Sequence, residues 1–121
     1  MKILIIDDDE LVRMTCRNIL KKEGYTILEA ENGNTGMNLF RAESPDLVIT
    51  DMLMPDKEGL ETISEIRAVN PNAKIIAISG GGNTQNMGFL QLAKKMGADR
   101  ALKKPIKAGE LVTAVKVTLN G

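Results

Sequence analysis

Apolar residues arrive along this chain in short runs that alternate with longer amphipathic stretches. Lys2–Ile6 is an Ile-rich run that stops at Asp7-Asp8-Asp9, and a continuous apolar run of that length predicts a buried strand. In Glu10–Glu23, Val12, Cys16, Ile19 and Leu20 share one side of a 3.6-residue repeat while Arg13, Arg17 and Lys21 line another. That is the pattern of a helix with one face on a core, and Gly24 stands where a glycine closes such a helix. The same reading predicts a strand over Thr26–Glu29, a helix over Asn34–Arg41 with Met37 and Phe40 inward, and a strand over Asp46–Thr50. A helix over Gly59–Val69 follows, with Leu60, Ile63 and Ile66 on one side, then a strand over Lys74–Ile78. The last elements are a helix over Thr84–Met96 with Phe89, Leu92, Ala93 and Met96 at core spacing, a strand over Arg100–Lys103, and a helix over Lys107–Leu119 with Leu111, Val112, Val115 and Leu119 inward.

Strand and helix alternate throughout, which calls for a parallel sheet covered on both faces. Right-handed crossovers then restrict the arrangement to a doubly wound α/β fold. No repeat, low-complexity tract or linker interrupts the pattern, so residues 1–121 are expected to form a single domain.

Composition narrows the functions open to such a fold. Tyr25, Phe40 and Phe89 are the only aromatic residues, too few for base-stacking platforms, so direct nucleic-acid binding is not expected. Cys16 is the single cysteine, which rules out an intrachain disulfide and points to a reducing, cytoplasmic setting. The apolar start Met1–Ile6 is too short for a signal-peptide core, and no run approaches the roughly 20 residues that span a bilayer. The formal net charge is zero. Residues 1–66 nevertheless hold 14 acids against 7 Lys or Arg, and residues 67–121 hold 9 Lys or Arg against 2 acids. One acidic site and one basic face fit this division, and a partner on the basic face is expected to be acidic.

Ligands of doubly wound sheets bind beyond the carboxyl ends of the strands. The first strand ends in Asp7, Asp8 and Asp9, the third in Asp51, the fourth in Ser79, and the fifth in Lys103 and Lys104. Alternation sends the two lysines to opposite sides, and Lys104, beside Pro105, is the one expected to enter the site. Crowded carboxylates repel one another unless a cation compensates. Mg²⁺ suits a site of few carboxylates shared with a phosphoryl group, a lysine can pair with that group, and a hydroxyl can donate to it. Together these residues describe metal-assisted phosphoryl transfer to a carboxylate. Gly80-Gly81-Gly82 is not followed by Gly-Lys-Ser/Thr, so it is not read as a phosphate-binding loop.

At this point the chain resembles the receiver domain of two-component response regulators, over essentially its whole length. The resemblance rests on Ile5-Ile6-Asp7-Asp8, on Asp51-Met52-Leu53-Met54-Pro55 with Gly59, on Ser79 and on Lys104-Pro105. It implies a flavodoxin-like, five-stranded parallel sheet of order 2-1-3-4-5. It also implies phosphorylation of Asp51 and Mg²⁺ held by Asp8 directly, Asp7 through water, Asp51 and the backbone carbonyl of Leu53. Lys104 would pair with the phosphoryl group, Ser79 would hydrogen-bond it, and the bond to Pro105 would be cis, which proline alone makes inexpensive. The chain departs from the family pattern at Ala101, where a switching aromatic is usual, at Gly80 and Ile106, and in the length of Gly80–Gln85.

Three other functions share the fold or the chemistry. A magnesium phosphohydrolase of the haloacid dehalogenase type needs an aspartate two residues after the nucleophile, where this chain has Leu53. A flavin carrier needs a phosphate cradle where Asp7, Asp8 and Asp9 stand. An interaction module that takes no phosphate has no use for the acidic set. The sequence contains no histidine, so the expected donor is a separate histidine kinase or histidine phosphotransfer protein. The protein itself is expected to be a signalling domain that catalyses only its own aspartyl phosphorylation and dephosphorylation. Met14 and Asn18, one turn apart on the first helix near the acidic pocket, are the candidate donor-docking residues.

Overall fold

Four consecutive aliphatic side chains, Ile3 to Ile6, are withdrawn completely from solvent in β1 (Lys2–Ile6). Burial on both faces places this strand inside a sheet rather than at its edge. In the computed structural model, which describes residues 1–52, 59–79, 91, 94–95 and 97–121, β1 lies between β2 (Thr26–Ala30) and β3 (Leu47–Asp51). β4 (Ile75–Ser79) follows β3, and β5 (Arg100–Lys103) closes the far edge. All pairings are parallel, and the order is β2-β1-β3-β4-β5, as the family resemblance implied.

Successive strand residues point to opposite faces, and the core divides accordingly. Leu4, Ile6, Val48, Ile75 and Ala77 pack with Met37 and Phe40 of α2 (Gly33–Glu43) and with Ile63 and Ile66 of α3 (Gly59–Val69). Ile3, Ile5, Ile49, Ile76 and Ile78 face the other way, onto Cys16 and Leu20 of α1 (Glu10–Lys22) and Leu111 and Val115 of α4 (Ala108–Asn120). Each buried Val, Leu, Ile, Met or Phe side chain among these contributes about 1.5–3 kcal/mol by leaving water. Within the second layer Cys16 is fully buried. Burial, and then the nearby Asp7, push its thiol up to about 11. In α4, Leu111, Ala114, Val115 and Thr118 take the buried positions, while the expected Val112 is only half-buried.

Several element ends lie one or two residues from the sequence reading. β3 and β4 each run one residue later than expected, so Asp51 and Ser79 are the last residues of their strands rather than the first beyond them. Asp51 pairs with Ile78, and Met52 N–H donates to the Ile78 carbonyl at 2.9 Å. α2 is longer at both ends than Asn34–Arg41, because the Asn32 side chain accepts from Thr35 N–H and Ser44 takes a left-handed conformation at the other end. Of the expected helix Thr84–Met96 only residues 91, 94 and 95 are described, all three helical; its core residues Phe89, Leu92, Ala93 and Met96 and the loop Gly80–Gln85 fall outside the described residues, as do Leu53 and the Leu60 side chain.

The edge opposite the strand carboxyl ends is closed by Arg67 of α3. Its guanidinium donates to the carbonyls of Gly97, Pro71 and Ala73 and pairs with Asp99 Oδ2 at 3.1 Å. Asp99 in turn accepts from Ile75 N–H at 2.8 Å. Gly97 makes this possible: it sits at φ +120°, and a Cβ there would lie 3.0 Å from the Arg67 side chain. The entry into β5 is thereby fixed to the start of β4.

Candidate functional site

The carboxyl ends of β1, β3, β4 and β5 converge on one edge of the sheet. Asp7 follows directly after β1 and is completely buried. Asp51 ends β3 and Ser79 ends β4, and both are buried. Lys104 follows β5, and its backbone N–H donates to the Ser79 carbonyl at 2.9 Å. Lys103, one residue earlier, is exposed, as alternation required. The Lys104–Pro105 peptide bond is cis.

Carboxylate oxygens of Asp7, Asp8 and Asp51 all lie within 4.8 Å of one another. Lys104 reaches into this cluster, with Nζ 3.1 Å from Asp7 Oδ2 and 3.5 Å from Asp51 Oδ2. Its side chain is only 20% exposed. Three carboxylates against one ammonium leave the pocket acidic, and the cost shows in the protonation equilibria. Desolvation raises the Asp7 pKa above the ordinary carboxylate value, and Asp8 adds to the rise. The Asp9 backbone N–H and Lys104 oppose it without cancelling it. For Lys104, burial acts to lower the pKa, but Asp51 and then Asp7 outweigh it and hold the ammonium charged.

The turn that carries the acids is built from nested hydrogen bonds. Asp7 N–H donates to the Ala30 carbonyl at 3.1 Å, and Asp7 Oδ1 accepts from Asp9 N–H at 2.9 Å. Asp9 caps α1, accepting from Leu11 N–H at 2.9 Å. Asp9 therefore serves the helix, and Asp7 and Asp8 serve the cluster. Asp7 Oδ2 is buried and receives no aligned hydrogen bond; its charged neighbour is the Lys104 ammonium. A buried carboxylate oxygen without a hydrogen bond, facing two further carboxylates, fits a hard cation with oxygen ligands.

Beside Lys104 a hollow of about 200 Å³ is lined by Leu11, Val12, Thr15, Lys104, Pro105 and Ile106. Met14 and Asn18 are both exposed on α1 but do not line it. Leu11, which does, is 64% exposed. Sequence reasoning passed over Leu11, although an apolar residue at the first turn of a helix, three before Met14, shares its face. It also missed Arg13, whose Nη1 donates to the Asp7 carbonyl at 2.6 Å. A second groove, of about 630 Å³, is lined by Arg100, Ala101, Leu102, Gly109, Thr113 and Val117, and Ala101 lies half-buried in it.

A doubly wound sheet with three carboxylates and a lysine at its carboxyl edge defines a class of signalling domain, and comparison with known proteins agrees. The chain belongs to the response regulator receiver domain family, which matches residues 3–116. It is 37% identical over 120 residues to the chemotaxis protein CheY of Bacillus subtilis, covering 98% of both chains. It is 32% identical over 115 residues to sporulation initiation phosphotransferase F of the same organism, covering 95% of this chain and 90% of that one. Among solved structures, a response regulator receiver domain protein from Clostridium thermocellum superposes with a TM-score of 0.89 at 33% identity, over 98% of this chain and 94% of that one.

Proposed function

We propose that the protein is a phospho-accepting switch, in which Asp51 takes a phosphoryl group from the phosphohistidine of a histidine kinase or histidine phosphotransfer protein, with Mg²⁺ held at Asp7, Asp8 and Asp51. The observation that carries the reading is the meeting of those three carboxylates with the Lys104 ammonium at one sheet edge. The similarity to a protein named as a phosphotransferase supports it. An Asp51 carboxylate oxygen forms the new bond to phosphorus as the bond from the imidazole nitrogen breaks, and the imidazole leaves with the electron pair. Bound Mg²⁺ supplies positive charge to the phosphoryl oxygens. Asp8 would hold the cation directly and Asp7 through water, with the Leu53 carbonyl as a further ligand; Lys104 would pair with the phosphoryl group, and Ser79 would donate a hydrogen bond to it.

Donor docking is assigned to α1, centred on Leu11 beside the hollow at Lys104, with Met14 and Asn18 further along the same helix. The groove between β5 and α4 is the proposed output face, for an acidic partner drawn by Lys94 and Arg100. A cytoplasmic setting is part of the proposal; among the described residues no helix is long and apolar enough to cross a membrane.

Intact-mass measurement after incubation with acetyl phosphate and Mg²⁺ tests the central claim. One phosphoryl group is expected on the wild type, none without divalent metal and none on Asp51→Asn. Leu11→Glu should label normally with acetyl phosphate but accept the group slowly from a phosphohistidine donor. Labelling of Asp51→Asn at the wild-type rate would overturn the assignment.

A further inference from the structure

Asp7 has four polar positions, and three of them are held by hydrogen bonds from or to the backbone and Arg13. The N–H is held by Ala30 and Oδ1 by Asp9 N–H, while the backbone carbonyl accepts from Arg13 Nη1 at 2.6 Å. Oδ2 receives no aligned hydrogen bond and has the Lys104 ammonium 3.1 Å away at the acidic cluster. Arg13 is itself anchored. Its Nε lies 3.5 Å from Glu29 Oε1, and the other oxygen of Glu29 accepts from Arg17 Nη1 at 2.7 Å. The Arg13 side chain is only 14% exposed. The end of β2 thus grips Asp7 from both sides, its N–H through the Ala30 carbonyl and its carbonyl through Glu29 and Arg13.

Asp8 is placed differently. It is exposed and makes no hydrogen bond or ion pair among the described residues. The direction of its carboxylate therefore depends on the backbone that carries it, and the peptide plane joining Asp7 to Asp8 is fixed by what the Asp7 carbonyl binds. That donor is Arg13. Glu29 also keeps the guanidinium paired with a carboxylate outside the cluster, so its charge does not compete with a cation for Asp7 and Asp8.

Resting on the metal reading proposed above, we infer that Arg13 is a positioning residue for the cation: by clamping the Asp7 carbonyl it aims Asp8 and sets the Mg²⁺ affinity of the acidic cluster. Groups that orient metal ligands typically change affinity by about 10–100-fold when removed. Calorimetric titration with Mg²⁺, at a temperature where circular dichroism shows each variant folded, tests the inference on the whole chain. Arg13→Gln is expected to bind about 10-fold more weakly than wild type. Arg13→Lys, which keeps a donor, should recover part of the loss. Glu29→Gln, which loosens the anchor without touching the turn, should weaken binding in the same direction.

Wild-type affinity in folded Arg13→Gln, alongside lost affinity in Asp8→Asn, overturns the role of Arg13 and leaves the metal site standing. A lowered melting temperature with unchanged affinity does the same, because it is what a purely structural arginine gives. If Arg13→Gln does not fold, Glu29→Gln decides, and unchanged affinity there overturns the inference. Wild type and Asp8→Asn binding Mg²⁺ equally, or neither binding it, removes the metal reading and this inference with it.

Discussion

Asp7 carries an electrostatic cost that follows from its burial beside a second carboxylate. Its pKa is raised, desolvation first and Asp8 in addition, while Asp9 N–H and Lys104 act against the rise. A raised carboxylate pKa means that the folded protein binds the proton more tightly than the unfolded chain does. The associated stability is fully present below the unfolded pKa and is lost as pH rises through the folded pKa. At neutral pH the metal-free protein is therefore destabilised by ionised Asp7, so metal-free Asp7→Asn should melt at a higher temperature than wild type. A lower melting temperature would show that Lys104 more than offsets the burial. The cation needs the ionised carboxylate. The Mg²⁺ affinity of the wild type should thus begin to fall at a higher pH than the ordinary carboxylate value of about 4 would set. Titrations across a pH series read this directly.

At the level of elements, Gly36 of α2 and Gly109 of α4 should respond to the same substitution with opposite signs. Gly36 lies where a Cβ would overlap Cγ1 and Cδ1 of Ile6. Ile6 is completely buried, so the shift that an added Cβ demands falls within the core. Gly36→Ala gains about 1 kcal/mol of helix propensity but meets overpacking of about 1–3 kcal/mol, and a net loss is expected. An added Cβ at Gly109 meets nothing within 4 Å, so Gly109→Ala should stabilise by up to about 1 kcal/mol. Urea denaturation of the two variants tests the pair. The elements themselves were readable from the sequence because apolar runs and 3.6-residue faces are local signals. The last residue of β3 and of β4 was not, since Asp51 and Ser79 join their strands through neighbours such as Ile78 and Lys103, which sequence spacing does not reveal.

For the molecule as a whole, the acids and the lysine of the site were legible because parallel strands deliver their carboxyl ends to one edge. The clamp of Arg13, Arg17 and Glu29 was not, because it forms only when α1 folds back against β2. The exposed Leu11 was hidden for a related reason: a leucine in an amphipathic helix reads as core until the packing is known. The same packing gives Cys16 its place in the aliphatic layer between the sheet, α1 and α4. With a thiol pushed up to about 11, it is protonated as well as inaccessible at neutral pH, and the thiolate is the reactive form. It is also the chain's single cysteine. A disulfide-exchange dye added to the native protein should therefore report the rate at which the layer opens, in place of the chemistry of a surface thiol. Immediate stoichiometric reaction would contradict this. The natural sequence is accordingly a clean background for site-directed labelling: a cysteine introduced on α1 or beside the groove will carry a spin label or fluorophore alone, with no native thiol to remove first.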